Sequence, residues 1–167
     1  MFMLRCTAKL LARLSPEGTD PDVEPTTALG DWYANLLNVG HSRFVLLTSE
    51  KSLLSLVVPA KELPSLPTRL AQALRALLES ARADELLVEA ELREMEVHRI
   101  GRTRSRSVLA SMNDMAFSAR TFMQIHPDWS LLDVERRLGI MPCGPLGMKA
   151  PGEVAARLLV ERYTTWG

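Results

Sequence analysis

Apolar positions in this chain follow two regimes. Up to about residue 60 they sit in short runs separated by turn formers, and beyond residue 65 they recur at helical spacing. "FMLRCT" at the start reads as a strand, and Thr7 can cap a brief helix, "AKLLARL". Residues 15–30, "SPEGTDPDVEPTTALG", hold three prolines, two glycines and four acids with almost nothing to bury, which predicts a mobile surface loop. After "DWYANLLNVG" come two aliphatic, β-branched runs, 43–49 and 52–60, with the polar "KS" at the break. They predict an antiparallel hairpin buried on both faces.

Ser65 then opens a helix in which Leu66, Leu70, Ala73, Leu74 and Leu77 share a face, and "DELLVEAELREM" continues helically. "EVHRIG" reads as a short strand. From Ser105 a 3.6-residue period runs through Val108, Leu109, Met112, Met115, Ala116, Ala119, Phe122 and Met123. Ser130 to Asp133 forms a capping-box pattern before a helix ended by Gly139, and Pro151 starts the last helix. Strands early and helices late predict an α+β fold. The expected architecture is a small antiparallel sheet from the N-terminal half, packed by about five helices, mostly C-terminal, in a single domain over 1–167.

Composition narrows the function classes. The chain of 167 residues is 47% hydrophobic and 24% charged, as globular domains are. Its twenty basic and twenty acidic side chains cancel, so no global field draws it to polyanions or to a membrane surface. Two distant cysteines, Cys6 and Cys143, fit neither a disulfide scaffold nor a zinc site. The three histidines are not paired at i,i+4, and neither a phosphate loop, a dinucleotide fingerprint nor a nucleophile elbow is present. No metal or cofactor is therefore expected, and the "FMLRC" start has no secretory core, so the expected setting is cytoplasmic.

"RTRSRSVLASMNDMAFSAR", residues 102–120, carries the densest candidate chemistry. Arg102, Arg104 and Arg106 fit phosphate contacts, but no aromatic residues are interleaved to stack bases, and Glu91, Glu94 and Glu96 lie upstream to pair with them. Nucleic-acid binding is therefore expected to be weak at most. Arg106, Ala110, Asn113 and Phe117 share a helix face beside the apolar stripe, which puts Asn113 at the edge of the core, bonded to early backbone.

The segments "LRCTAKLL", "LGDWYANLL", "RFVLLTSEKSLLSLVVPAKEL" and "RSVLASMNDMA", in this order, resemble a family of small bacterial proteins of unknown function over about residues 3–123. They are also similar to the leading segment of some proteins in the Ri-plasmid open-reading-frame-three family. The resemblance implies a bacterial, cytoplasmic protein and no known catalytic residue or cofactor. It singles out Cys6, Thr7, Lys9, Trp32, Asn35, Arg106, Asn113 and Asp114 as its polar motif positions. With Arg104, the candidate binding residues are Lys9, Trp32, Asn35, Arg106, Asn113 and Asp114. Two functions are consistent with them. One is a non-catalytic binding or interaction module with a protein or nucleic-acid partner. The other is a small enzyme acting on a phosphate-containing substrate, with Arg106 as anion clamp and Asp114 as acid or base.

Overall fold

In the computed structural model, residues 1–164 are described. Among them are five strands, β1 (Phe2–Cys6), β2 (Trp32–Val39), β3 (Ser42–Ser49), β4 (Ser55–Pro59) and β5 (His98–Arg102). Six helices accompany them: α1 (Ala8–Leu14), α2 (Leu66–Ser80), α3 (Glu85–Glu94), α4 (Arg106–Ile125), α5 (Leu131–Gly139) and α6 (Pro151–Thr164). The strands form one sheet in the order β4-β3-β2-β1-β5. β2, β3 and β4 are an antiparallel meander, whereas β1 runs parallel to both its neighbours, β2 and β5.

The α+β class holds, but two parts of the expected architecture do not. The sheet is mixed rather than antiparallel, because β5 arrives only after α3 and lies parallel to β1. Nor are the helices mostly C-terminal, since α1, α2 and α3 all precede β5. Periodicity reports which residues are buried and not which strands pair. A late strand returning to the first one therefore leaves no local trace in the pattern.

Alternation along each strand divides the core into two layers. Phe2, Leu4, Trp32, Ala34, Val45, Leu47, Leu56 and Val58 face one side, against Leu10 of α1, Leu66, Leu70 and Leu74 of α2, Val88 of α3 and Leu159 of α6. Tyr33, Leu37, Leu46 and Val57 face the other, against Val108, Met112, Met115 and Ala119 of α4 and Val134 and Leu138 of α5. All five residues of β1 are buried, as a central parallel strand requires.

The predicted helix starts at 105, 130 and 151 hold. Ser105 Oγ accepts from Val108 N–H, and Ser130 and Asp133 complete a reciprocal capping box. Ser65 and Thr7 precede their helices but use their hydroxyls elsewhere: Ser65 Oγ donates to the Glu62 carbonyl, and Thr7 Oγ1 to Asn35 Oδ1.

Side chains close both rims of the sheet. At the β5 rim, Asp20 N–H donates to the Ile100 carbonyl while Asp20 Oδ2 accepts from Ile100 N–H. Residues 16–24 of the expected loop are exposed but anchored there, and Thr26 N–H adds a bond to the Met1 carbonyl. The end of that loop is not a surface loop, because Thr27, Ala28, Leu29 and Gly30 are buried and Ala28 and Leu29 join the core. At the β4 rim, Glu135 Oε2 accepts from Val57 N–H at 2.9 Å. Buried Glu91 stitches the remaining layer by accepting from Ala28 N–H, Leu29 N–H and Tyr163 O–H.

Candidate functional site

β1 and β5 end side by side, with Cys6 in register with Arg102. From there the chain leaves in opposite directions. Thr7 leads into α1, whose Leu10 and Leu11 pack on the Trp32 face, while Ser105 leads into α4 on the Tyr33 face. Adjacent parallel strands whose following helices go to opposite faces leave a crevice at their carboxyl ends, the favoured ligand position in open sheets. Here the crevice is a trough of three adjoining hollows.

The first, of about 520 Å³, lies between α1 and the β2–β3 hairpin, with Lys9, Arg13, Arg43, Asn35 and Asn38 among its lining. Lys9 and Arg13 are one helical turn apart, and Arg43 pairs in register with Asn38. All three cations are exposed, none has a carboxylate partner among the described residues, and no acid lines the hollow. Thr7 Oγ1 donates to Asn35 Oδ1 at 2.8 Å, which leaves the amide NH₂ of Asn35 as a donor.

The second hollow, of about 410 Å³, shares Ala8 with the first and is mostly uncharged, with Leu11, Ala12 and Pro16 beside Arg102 and Thr103. Cys6 also lines it, but the side chain is buried and burial pushes its thiol up to about 12, so it is no nucleophile at neutral pH.

The third hollow, of about 340 Å³, shares Arg102 and Thr103 with the second and adds Arg5, Arg104, Asp20 and Asp22. Arg5 projects from near the carboxyl end of β1, the strand beside the β5 edge, and is 1% exposed. Its Nε donates to Asp31 Oδ2 at 2.9 Å, and its Nη1 to Asp22 Oδ1 at 3.2 Å and the Arg102 carbonyl at 3.0 Å. Its in-register neighbour on β5 is Gly101. A Cβ there would lie 2.6 Å from Met3 Cε but at an ordinary contact distance, 3.5 Å, from Arg5 Nη1, so the bare backbone makes room for Met3.

The residues singled out from sequence separate on this frame. Lys9 and Asn35 meet in the first hollow and Arg104 lines the third. Trp32 is fully buried in the core. Arg106 and Asn113 are exposed on α4 and make no side-chain hydrogen bond or ion pair among the described residues. Asn113 is therefore not at the core edge: Val108, Ser111, Met112, Met115 and Ala119 take the buried face, and Ala110 and Phe117 are as exposed as Asn113. Asp114 lines a separate crevice of about 150 Å³ with Ser111 and Cys143 that shares no residue with the trough. Burial and the charge of Asp114 push the Cys143 thiol up.

Of the three acids expected to neutralise the arginine run, Glu91 and Glu94 are engaged elsewhere and Glu96 makes no side-chain ion pair among the described residues. Glu91 holds the backbone at 28–29, and Glu94 accepts from Thr26 and pairs with the N-terminal ammonium. Arg104 pairs instead with Asp22, at 3.7 Å. Sequence reasoning passed over Arg5, Arg13, Asn38, Arg43 and Asp22. Arg5 did carry a signal, a lone charge inside the apolar strand "FMLRC". Arg13, Asn38 and Arg43 lie on exposed positions whose convergence depends on the β1–β2 pairing, and Asp22 reaches Arg5 from the loop that precedes β2. Among the described residues no group of His, Cys, Asp and Glu is arranged to hold a metal ion, and no helix is long and apolar enough to cross a membrane.

A family described as a domain of unknown function, DUF6933, matches residues 3–154. The chain belongs to this family. The match covers the sheet apart from Phe2 and every element lining the trough, so the trough is built from the DUF6933 domain itself. No curated protein and no solved structure matches the chain significantly.

Proposed function

We propose that this DUF6933 chain is a binding module without chemistry of its own, which takes an anionic ligand in the part of the trough between α1 and the β2–β3 hairpin. One observation carries the reading: Lys9, Arg13 and Arg43 surround a hollow of about 520 Å³ that no carboxylate lines. Three like charges held around one concavity repel each other, and an anion relieves that repulsion. The arrangement also supports binding over catalysis. The first two hollows are lined by neither a carboxylate nor an imidazole, and the Cys6 thiol is inert. The enzyme reading needs Arg106 and Asp114 in one site, and Arg106 is absent from the crevice that Asp114 lines. The two unbridged cysteines support a reducing compartment, and with it the cytoplasmic, bacterial setting implied by the motifs.

The test is a titration of the ¹⁵N-labelled protein with inorganic pyrophosphate at low ionic strength, followed by NMR. Shifts should centre on residues 7–13 and 35–43, weaken as salt rises, and fall at least tenfold in affinity in the Lys9→Ala/Arg43→Ala variant. Unchanged spectra, or equal binding by the variant, would overturn the reading.

A further inference from the structure

We propose that the hollow beside Arg5 is a second anion subsite, fitted to a phosphate or phosphomonoester dianion, and that Asp22 is its built-in competitor. The inference extends the trough of the preceding section to its far end, but stands on different residues.

A guanidinium has five N–H donors in a planar fork. Arg5, 1% exposed, uses Nε on Asp31 and Nη1 on Asp22 and the Arg102 carbonyl, while Nη2 finds no acceptor among the described residues. A buried donor without an acceptor costs free energy, and this one belongs to the guanidinium that lines the hollow. Asp31 is fully buried and its second oxygen accepts from Met3 N–H, so that carboxylate is fixed in the fold. Asp22 is different. It is 60% exposed, lies on the proline-rich loop, and reaches in to place one oxygen on Arg5 and the other near Arg104. A carboxylate between two arginines occupies the position an exogenous oxyanion would take.

Charge decides what can displace it. Asp22 is tethered, so it competes at the effective concentration of an intramolecular group, and a free monocarboxylate brings no advantage over it. A phosphate monoester carries about −1.5 to −2 charge and three acceptor oxygens. It can satisfy Arg5 and Arg104 together and still take a hydrogen bond from Thr19 or Thr103, which line the same hollow. Asp20, the other acid there, is held by Ile100 N–H and remains in place. Binding then means exchange: the phosphate replaces Asp22 on the arginines, and the loop around residue 22 swings away from them.

The experiment compares wild type with Asp22→Asn, each also in a Lys9→Ala/Arg43→Ala background that disables the first hollow. Inorganic phosphate and adenosine monophosphate are titrated against the Arg5 Nε–H signal, with acetate as the monoanion control. Asp22→Asn should bind at least one of the two phosphates at least tenfold more tightly than wild type in both backgrounds. The more tightly bound probe tells a free phosphate site from an ester site. Adding Arg104→Ala should abolish the gain, and acetate should not bind. Equal affinity of wild type and a folded Asp22→Asn, or a gain that survives Arg104→Ala, would overturn the proposal whatever happens at the first hollow. Should Asp22→Asn fail to fold, wild type decides: phosphate must shift the Arg5 Nε–H and Asp22 carboxylate signals together, and an unmoved pair at saturation overturns it.

Discussion

Arg5 and Asp31 form a buried ion pair, Nε to Oδ2 at 2.9 Å, between β1 and the residue that precedes β2. Asp31 Oδ1 also accepts from Met3 N–H at 2.8 Å, so a single carboxylate answers both a buried guanidinium and a backbone donor of β1. Breaking such a pair from one side leaves the other charge stranded. Asp31→Ala should therefore cost about 3–5 kcal/mol in urea unfolding. Asp31→Asn keeps an acceptor for Met3 and should cost less. Equal, small losses for both would show that the pair contributes little.

Glu135 gives the fold a pH dependence. Burial pushes its carboxyl up to about 8, against a single compensating bond from Val57 N–H. The native state thus holds a proton that the unfolded chain releases near pH 4.5, so this contribution to stability is complete below about 4.5 and is lost as pH rises through 8. Glu135→Gln keeps an acceptor for Val57 and carries no charge. It should exceed wild type in stability by about 1–3 kcal/mol at pH 8.5, with the gap closing towards pH 5. A gap that does not change with pH in thermal melts would exclude this role.

Asn113 is exposed on α4 without a hydrogen bond to lose. Asn113→Leu should leave stability within about 0.5 kcal/mol of wild type. A loss of 1–3 kcal/mol, the cost of stranding a buried backbone partner, would place the amide inside the core after all.

Leu47 is fully buried between Ala34 and Leu56 in the register of β2, β3 and β4. Leu47→Ala should cost about 2–5 kcal/mol, read as a lowered denaturation midpoint. An unmoved midpoint would argue against this sheet.

How much of this was legible in the sequence depends on whether a feature is local. The Ser130–Asp133 box and the stripe through Val108, Met112, Met115 and Ala119 are written in consecutive residues, and both stand in the structure. The β3–β4 hairpin is equally local. β5 was harder, since as a rim strand it buries little beyond Gly101. Its pairing with β1, some 95 residues away, is a tertiary fact, and the trough inherits that illegibility. Lys9 and Asn35 were both singled out, but nothing in their spacing joins them; the parallel alignment of β1 with β2 does. Trp32 misled because an indole suits a ligand as well as a core, and here the core takes it whole.

Asp20 and Glu135 have a further consequence, for how molecules of this chain behave in a crowd. An open strand edge is an invitation to the next copy, and a five-stranded sheet with two such edges could grow into a fibre. Each edge here has its donor at Ile100 or Val57 already taken by a carboxyl oxygen from elsewhere in the same molecule. The two acids act as end-stops, each occupying a donor that the next copy would need.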